Sequence, residues 1–180
     1  MNTKLKMLVT TLFGVILLVA CNGESEKVEN TAVKAEAEDI KELVHDYSVR
    51  NVTAKSASIT SEQLLVTDNE GNNQVYELPE DEFFVSIAPY INETHSCENH
   101  SLTGCQGELV NEQFDIYIED SEGNIIVDET LESQGNGFID LWLPREQMYH
   151  IKIELEGKTV ESEFSTFEND GTCITTMQLI

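Results

Sequence analysis

The feature that most constrains the fold is a series of short alternating segments in the second half of the chain. Residues 113–119 and 149–155 each alternate apolar with polar side chains, and residues 138–143 form a further strand-like segment. Alternation is the pattern of a β-strand that buries one face. Two more strand-like segments follow at 159–167 and 172–179, and turn sequences containing glycine lie at 120–124 and 135–137. Regular short strands joined by glycine turns are typical of a β-sandwich. We therefore predict an immunoglobulin-like or transthyretin-like β-sandwich, which we assign to residues 89–180.

The first half of the chain predicts one helix. Ile40, Leu43, Val44 and Tyr47 lie at i, i+3, i+4 and i+7, which puts them on one face of a short amphipathic helix. A helix this short is marginal alone, so it must dock within the chain or on a second copy.

Short strand-like segments follow the predicted helix. Residues 58–66 and 74–78 flank an acidic, asparagine-rich stretch at 68–73, and this arrangement predicts a hairpin whose middle is a turn and not a calcium loop. Residues 37–88 are therefore expected to form a small helix-and-hairpin region before the sandwich. The fold class is mainly β, and α+β overall.

The N-terminus predicts export. Lys4 and Lys6 precede and flank an apolar run that extends from Met7 to Ala20. This run is too short for a membrane span with ordinary flanks, and residues 1–20 are typical of a signal peptide.

The end of this segment predicts a lipid anchor. Leu18-Val19-Ala20-Cys21 resembles the lipobox of bacterial lipoproteins, in which Cys21 would be lipidated and become the first mature residue. Residues 21–36 would then be the lipidated cysteine and a flexible polar tether. With Asn22 next, the expected location is the periplasm, tethered to the outer membrane. The alternative is a soluble secreted protein cut near Ala20.

The charge excludes one class of partner. The chain has 34 Asp and Glu residues against 10 Lys and Arg, for a formal net charge of −24. No basic patch can form to meet phosphate, so nucleic acid is not expected as a partner. The acids are spread along the chain, which favours a solvated surface over a cation-attracting field.

The cysteines predict the chemistry. The segment from His95 to Cys105 holds two thiols and two imidazoles, and a further cysteine, Cys173, lies near the C-terminus. With Cys21 lipidated, three thiols remain in an exported protein, and an odd set cannot close entirely into internal disulfides. At least one thiol is left to react, to pair outside the chain or to hold a metal.

Spacing alone leaves a metal site and a disulfide both open. Cu(I) accepts two or three soft ligands, and Cys97, Cys105 and Cys173 could supply them if the last strand lies beside the 94–105 loop. His95 and His100 could add a nitrogen ligand, and zinc is the alternative metal. In an oxidising compartment, Cys97 and Cys105 could instead form a disulfide, with Cys173 left as a buried thiol.

Enzyme classes find little support in the sequence. It contains no Gly-x-Ser-x-Gly, His-Glu-x-x-His or phosphate-loop motif, and no Cys-x-x-Cys after a strand. We therefore expect no enzymatic activity. The alternatives to metal binding are a thiol–disulfide redox protein and a binding module stapled by a disulfide.

The cysteine segment resembles a known family. Residues 94–109, which read THSCENHSLTGCQGEL, are similar to the hallmark segment of the CueP family of periplasmic copper-binding proteins, and the similarity continues through 136–138, 141–145 and 172–177. It covers most of residues 83–180, whereas the N-terminal half is a weaker match.

The resemblance implies a function. It implies Cu(I) binding through Cys97, Cys105 and Cys173, copper resistance in the cell envelope, and transfer of copper to other proteins, with periplasmic Cu,Zn superoxide dismutase as a candidate. It also implies a two-domain subunit that forms a homodimer through its N-terminal part.

Overall fold

The computed structural model describes residues 36–180. The predicted signal peptide, the lipidation site at Cys21 and nearly all of the predicted tether lie outside the described residues. Within them the chain forms a single α-helix followed by strands. The elements are α1 (Ala37–Ser48), β1 (Ser56–Ile59), β2 (Gln63–Thr67), β3 (Asn73–Glu77), β4 (Glu82–Ile87), β5 (His100–Ser101), β6 (Gln113–Asp120), β7 (Ile125–Glu132), β8 (Ile139–Pro144), β9 (Met148–Leu155), β10 (Lys158–Ser165) and β11 (Cys173–Ile174).

The strands of the described part form three sheets. Two sheets are four-stranded, in the orders β3-β2-β1-β5 and β10-β9-β6-β7, and the third is three-stranded, in the order β11-β4-β8. The protein is thus a β-rich α+β fold, as predicted. The immunoglobulin-like or transthyretin-like type of the sandwich stays a prediction.

The predicted helix is confirmed, and its apolar stripe packs as the spacing requires. Ile40 and Val44 are 1% exposed, and Leu43 and Tyr47 pack partly buried against the same cluster. No side chain caps the first turn. Since a twelve-residue helix is marginal in isolation, this packing is what stabilises it.

Strand β4 lies at the centre of the molecule and is buried on both faces. Phe83, Val85 and Ile87 belong to the large core that includes β6 and β9. Phe84, from the alternate positions, belongs to the cluster that includes α1, β1 and β2. Because successive side chains point to opposite faces, the dense apolar run at 83–87 is explained by a strand with a core on each side.

Sheet pairing crosses the predicted domain boundary at residues 88 and 89. Strand β4 precedes the boundary and pairs with β8 antiparallel and with β11 parallel. Strand β5, from the second half, pairs with β1 of the first half. The division into two domains stays a prediction.

The predicted strand at 172–179 is shorter in the structure. Only Cys173 and Ile174 pair with β4, and an isolated bridge joins Tyr90 to Gln178. Between them, the Thr175 hydroxyl donates to the carbonyl of His95, so side-chain contacts replace the backbone ladder there. Among the described residues, no helix is long and apolar enough to span a bilayer.

Candidate metal centre

The position of His100 is fixed by backbone and threonine hydrogen bonds. His100 pairs with Ile59 across β5 and β1. Its N–H donates to the Thr172 hydroxyl over 2.9 Å, and that hydroxyl donates to the Ile59 carbonyl over 2.6 Å. Thr172 is fully buried, so it links the histidine strand to the C-terminal tail from inside the fold.

The tail brings Cys173 to the same place. Cys173 pairs with Ser86 of β4, and its N–H donates to the Glu98 carbonyl over 3.0 Å. The preceding Gly171 is so close to that carbonyl that a Cβ on it would lie 2.7 Å from the Glu98 oxygen. The tail therefore lies directly against the segment that carries Cys97.

A turn directs Cys105 back toward the other two cysteines. The Cys105 N–H donates to the Ser101 carbonyl over 2.9 Å, and the Ser101 N–H donates to the Cys105 sulfur over 3.4 Å. Next along the chain, the Gly107 N–H donates to the Asn136 carbonyl. This turn is thus held on the loop before β8.

These constraints produce one cluster of soft ligands. Cys97, His100, Cys105 and Cys173 each offer an atom that lies within 4.8 Å of the others. Cys105 Sγ is 3.4 Å from Cys97 Sγ, and His100 Nδ1 is 3.6 Å from Cys173 Sγ. The three cysteines proposed from the sequence therefore converge although Cys173 is far from the others along the chain.

The structure contains a disulfide, and its pairing differs from the sequence-based alternative. Cys97 is joined to Cys173, with their Cα atoms 5.6 Å apart, and of the cysteines in residues 36–180 Cys105 is the free thiol. The expected alternative paired Cys97 with Cys105. The backbone hydrogen bond from Cys173 to Glu98 holds the tail beside Cys97, a contact that sequence spacing cannot reveal.

The two candidate histidines lie in different surroundings. His95 is exposed, lies outside the ligand cluster, and has its ring centroid 6.1 Å from that of Phe138. His100 is fully buried, and its ring centroid is 4.5 Å from that of Phe138. Burial, with a smaller effect from His95, lowers the pKa of His100 to about 4. Its imidazole is therefore neutral at neutral pH, with a nitrogen lone pair available.

The donor set determines the chemistry that this cluster can perform. Thiolate sulfur and neutral imidazole are ligands for soft and borderline metals such as Cu(I) and zinc. A disulfide sulfur carries no thiolate, so Cys97 and Cys173 must be reduced before all three sulfurs can act as ligands.

Sequence reasoning missed the residues that support the cluster. Thr172 and Phe138 lie in segments that carried the family resemblance, but no role was predicted for them. Ser86 and Asp140 were missed too, and the Ser86 hydroxyl donates to the Asp140 carboxylate over 2.5 Å. A signal was present for Ser86 and Asp140, because each is a polar residue between apolar neighbours in its strand.

Comparisons with known proteins give matches along most of the chain. The family model for the periplasmic copper-binding protein CueP matches residues 38–178. A solved structure titled "Crystal Structure of S.CueP" is 37% identical, with a TM-score of 0.73, over 78% of this chain and 88% of that chain. No curated protein gives a significant match. The match over most of its length shows that the chain belongs to the CueP family of periplasmic copper-binding proteins.

Proposed function

We propose that this protein binds Cu(I) in the periplasm through the thiolates of Cys97, Cys105 and Cys173, with His100 as an additional nitrogen ligand, and passes the ion to other proteins. The observation that carries the proposal is the convergence of these four side chains. The family supplies the metal, since its members are periplasmic copper-binding proteins. Zinc remains the alternative ion for the same donors.

The site favours a monovalent soft ion for a physical reason. Cu(I) needs only two or three ligands, and three sulfurs from two segments of the chain can surround it without a closed tetrahedral cage. Cys173 is 7% exposed, whereas Cys97 and Cys105 are partly exposed. Copper would therefore enter and leave on the side of Cys97 and Cys105. Release would occur by exchange with a partner's own thiolate or imidazole ligands.

Thiol redox state would control the site. With the Cys97–Cys173 disulfide closed, only Cys105 and His100 remain as ligands, and copper is held weakly. Exchange with an external dithiol, which is itself oxidised to a disulfide, would break the S–S bond and leave two thiolates that complete the donor set. Copper loading thus requires prior reduction of this disulfide.

An anaerobic titration tests the proposal. Reduced protein is titrated with Cu(I) against a competing chelator, and we expect about one tightly bound ion. Cys97→Ser, Cys105→Ser and Cys173→Ser should each lower the affinity by at least a factor of about 100, because each removes one of three thiolates. If a variant binds Cu(I) with unchanged affinity, the cysteine that it replaces is not a ligand.

The histidines provide a matched pair of variants. His100→Ala should weaken Cu(I) binding by about 10-fold, whereas His95→Ala should leave it unchanged because His95 lies outside the cluster. If His95→Ala weakens Cu(I) binding and His100→Ala does not, the nitrogen ligand is His95. Titration of the same variants with zinc tests the alternative ion.

A second candidate function is a thiol–disulfide redox protein. It is favoured by the free Cys105 sulfur lying 3.4 Å from a disulfide sulfur, within reach for thiol–disulfide exchange. An experiment in cells distinguishes the two functions. Replacement of all three cysteines should abolish copper tolerance if the protein sequesters copper, whereas a redox role predicts altered disulfides in other envelope proteins without a copper phenotype.

The remaining proposals concern the cellular setting. We place the protein in the periplasm as a lipoprotein anchored through Cys21, forming a homodimer, without enzymatic activity, with Cu,Zn superoxide dismutase as a copper acceptor. Cys21→Ser should release the protein from the membrane fraction, light scattering should give the mass of a dimer, and the copper-loaded protein should activate metal-depleted dismutase.

A further inference from the structure

Two of the four possible ligands lie on strands that are too short to fix their positions alone. His100 begins β5 and Cys173 begins β11, and each strand has two residues, against roughly three to ten in most strands. Strand β5 pairs with β1, and β11 pairs with β4, each through two residue pairs. With so few ladder contacts, other hydrogen bonds must hold these two ligands in place.

One hydroxyl group joins the two short strands. Thr172 immediately precedes Cys173, and its hydroxyl oxygen accepts the N–H of His100 over 2.9 Å. The same hydroxyl donates to the carbonyl of Ile59 over 2.6 Å. Ile59 is the residue of β1 that pairs with His100. A single side chain therefore connects the segments of both ligands to β1, although Thr172 and His100 are 72 residues apart along the chain.

The direction of this hydroxyl is fixed by the backbone around it. The carbonyl of Thr172 accepts the N–H of Ser86 over 2.8 Å, and the N–H of Cys173 donates to the carbonyl of Glu98 over 3.0 Å. A β-branched side chain has few χ1 rotamers. Backbone held on both sides of the Thr172 side chain thus aims its hydroxyl at β5 and β1.

Water has no access to take the place of this hydroxyl. Thr172, His100 and Ile59 are all 0% exposed. Without the hydroxyl, the N–H of His100 and the carbonyl of Ile59 would be buried without partners, which is costly. Strand β5 would therefore shift to find new partners for these groups, and the imidazole of His100 would move with it.

We infer that Thr172 is a positioning residue of the copper site: its buried hydroxyl fixes His100 and Cys173 relative to each other before the ion binds. The inference rests on the proposed function, in which both residues are ligands. Groups that hold metal ligands in place commonly contribute about 10–100-fold to metal affinity. Because Ile59 belongs to β1, the first half of the chain takes part in the site without supplying a ligand.

Three variants isolate the hydroxyl. Thr172→Val removes it and keeps the branched shape, whereas Thr172→Ser keeps it and removes the methyl group. Thr166→Val is the matched control, because Thr166 is also 0% exposed and lies outside the ligand cluster. Its hydroxyl likewise joins a carbonyl, that of Pro144 over 2.9 Å, to an N–H, that of Gln147 over 3.2 Å. The control therefore loses the same kinds of hydrogen bond.

The first measurement needs no metal. In a Cys105→Ser background, Cys97 has Cys173 as its one partner in the cluster, and mass spectrometry gives the fraction of disulfide after equilibration with glutathione buffers. Thr172→Val should lower the equilibrium constant for closure by about 10-fold, because a sulfur that is held less firmly meets Cys97 less often. Thr172→Ser and Thr166→Val should remain close to the parent.

Two results of this measurement would count against the inference. An unchanged equilibrium constant in Thr172→Val would overturn it. Equal losses in Thr172→Val and Thr166→Val would make Thr172 merely structural, since any buried hydroxyl would then have the same effect.

The second measurement is the Cu(I) affinity of the reduced proteins against a competing chelator. Thr172→Val should weaken binding by about 10–100-fold, and Thr172→Ser should recover most of this loss. Thr166→Val should bind Cu(I) as the wild type does. If Thr172→Ser binds as weakly as Thr172→Val, the methyl group and its packing matter instead of the hydroxyl, and the inference is wrong.

Hydrogen exchange of the wild type decides the case in which Thr172→Val does not fold. In the reduced, metal-free protein, the N–H of His100 should exchange as slowly as the amides of β4, because it is buried and bonded. Exchange at the rate of an exposed amide would refute the positioning role. A wild-type protein that binds no Cu(I) would instead refute the proposed function, and the disulfide equilibrium and hydrogen exchange would still decide the role of Thr172.

Discussion

Gly137 and Gly107 let two segments of backbone lie in direct contact, close along the chain to Cys105. Gly137 has φ of +77°, and a Cβ on it would lie 2.8–2.9 Å from backbone atoms of Gly107. Gly123, in the turn between β6 and β7, has φ of +83° and nothing within 4 Å of such a Cβ. The two positions therefore share the backbone conformation and differ in the space around it.

This difference predicts unequal costs of the same substitution. Gly123→Ala should lower the free energy of unfolding by about 1–2 kcal/mol, the cost of left-handed backbone. Gly137→Ala should cost about 1–3 kcal/mol more, because the added methyl group forces the backbones apart. Urea denaturation of the oxidised proteins measures both. Equal losses of stability in the two variants would contradict the close contact between Gly137 and Gly107.

Residue identities at the site were partly readable from the sequence. Cys97, Cys105 and Cys173 were proposed as one set, and the structure brings them together. The two histidines could not be ranked, because they flank Cys97 closely, two residues before it and three residues after it. The burial of His100 arises from its pairing with Ile59 and Thr172, which are distant along the chain.

At the scale of elements, a carboxylate closes the loop that leads into the cysteine segment. Glu108 accepts hydrogen bonds from the N–H of Ile91 over 2.6 Å and from that of Asn92 over 2.9 Å. The backbone N–H of Asn92, followed by that of Ile91, lowers the pKa of Glu108 to about 2 from an ordinary value of 4.5.

The lowered pKa predicts a pH-dependent contribution to stability. Because the folded pKa lies below the unfolded one, this contribution is complete above about pH 4.5 and is lost as the pH falls toward about 2. Glu108→Gln should therefore be less stable than the wild type at pH 7, with the gap closing in acid. Glu129→Gln, at an exposed position on β7, is the control and should show no such gap. Urea denaturation across this pH range measures it, and a gap that persists at low pH would refute the mechanism.

The elements themselves were predicted best where their pattern is local. The turn sequence Asp-x-Glu-Gly-Asn occurs twice, and Asp68 and Asp120 each accept the N–H groups two and four residues further on. Such turns depend on neighbours in the sequence and are readable there. Strand β11 was overestimated because its length depends on β4, a partner far away in the chain.

At the scale of the whole molecule, β4 joins the two hydrophobic cores and the C-terminal tail. It carries one core on each face, and its pairing with β11 brings the C-terminal tail to the cysteine segment. Alternation predicted the strands, but not that β4 would lie between β11 and β8. The order of strands in a sheet depends on contacts between segments that are far apart along the chain. Local sequence patterns do not reveal which of these segments will pair.

The disulfide and a bound metal ion should each stabilise the folded protein. Cys97 and Cys173 are separated by 76 residues, and a cross-link over a loop of this length contributes about 2–4 kcal/mol. The reduced, metal-free protein should therefore unfold at lower urea concentration than the oxidised one. Cu(I) at a free concentration 100-fold above its dissociation constant should restore about 2.7 kcal/mol, because it binds the folded state.

Cys105→Ser separates the two effects, since it keeps the disulfide and removes one ligand. This variant should retain the difference in stability between oxidised and reduced protein, and should lose most of the recovery on adding Cu(I). Cys97→Ser should lose both, because Cys97 belongs to the disulfide and to the ligand cluster. The oxidised and reduced wild-type proteins could instead unfold at the same urea concentration. That result would show that packing and hydrogen bonds alone hold the C-terminal tail in place, and that the ligand cluster forms before the disulfide or the metal is present.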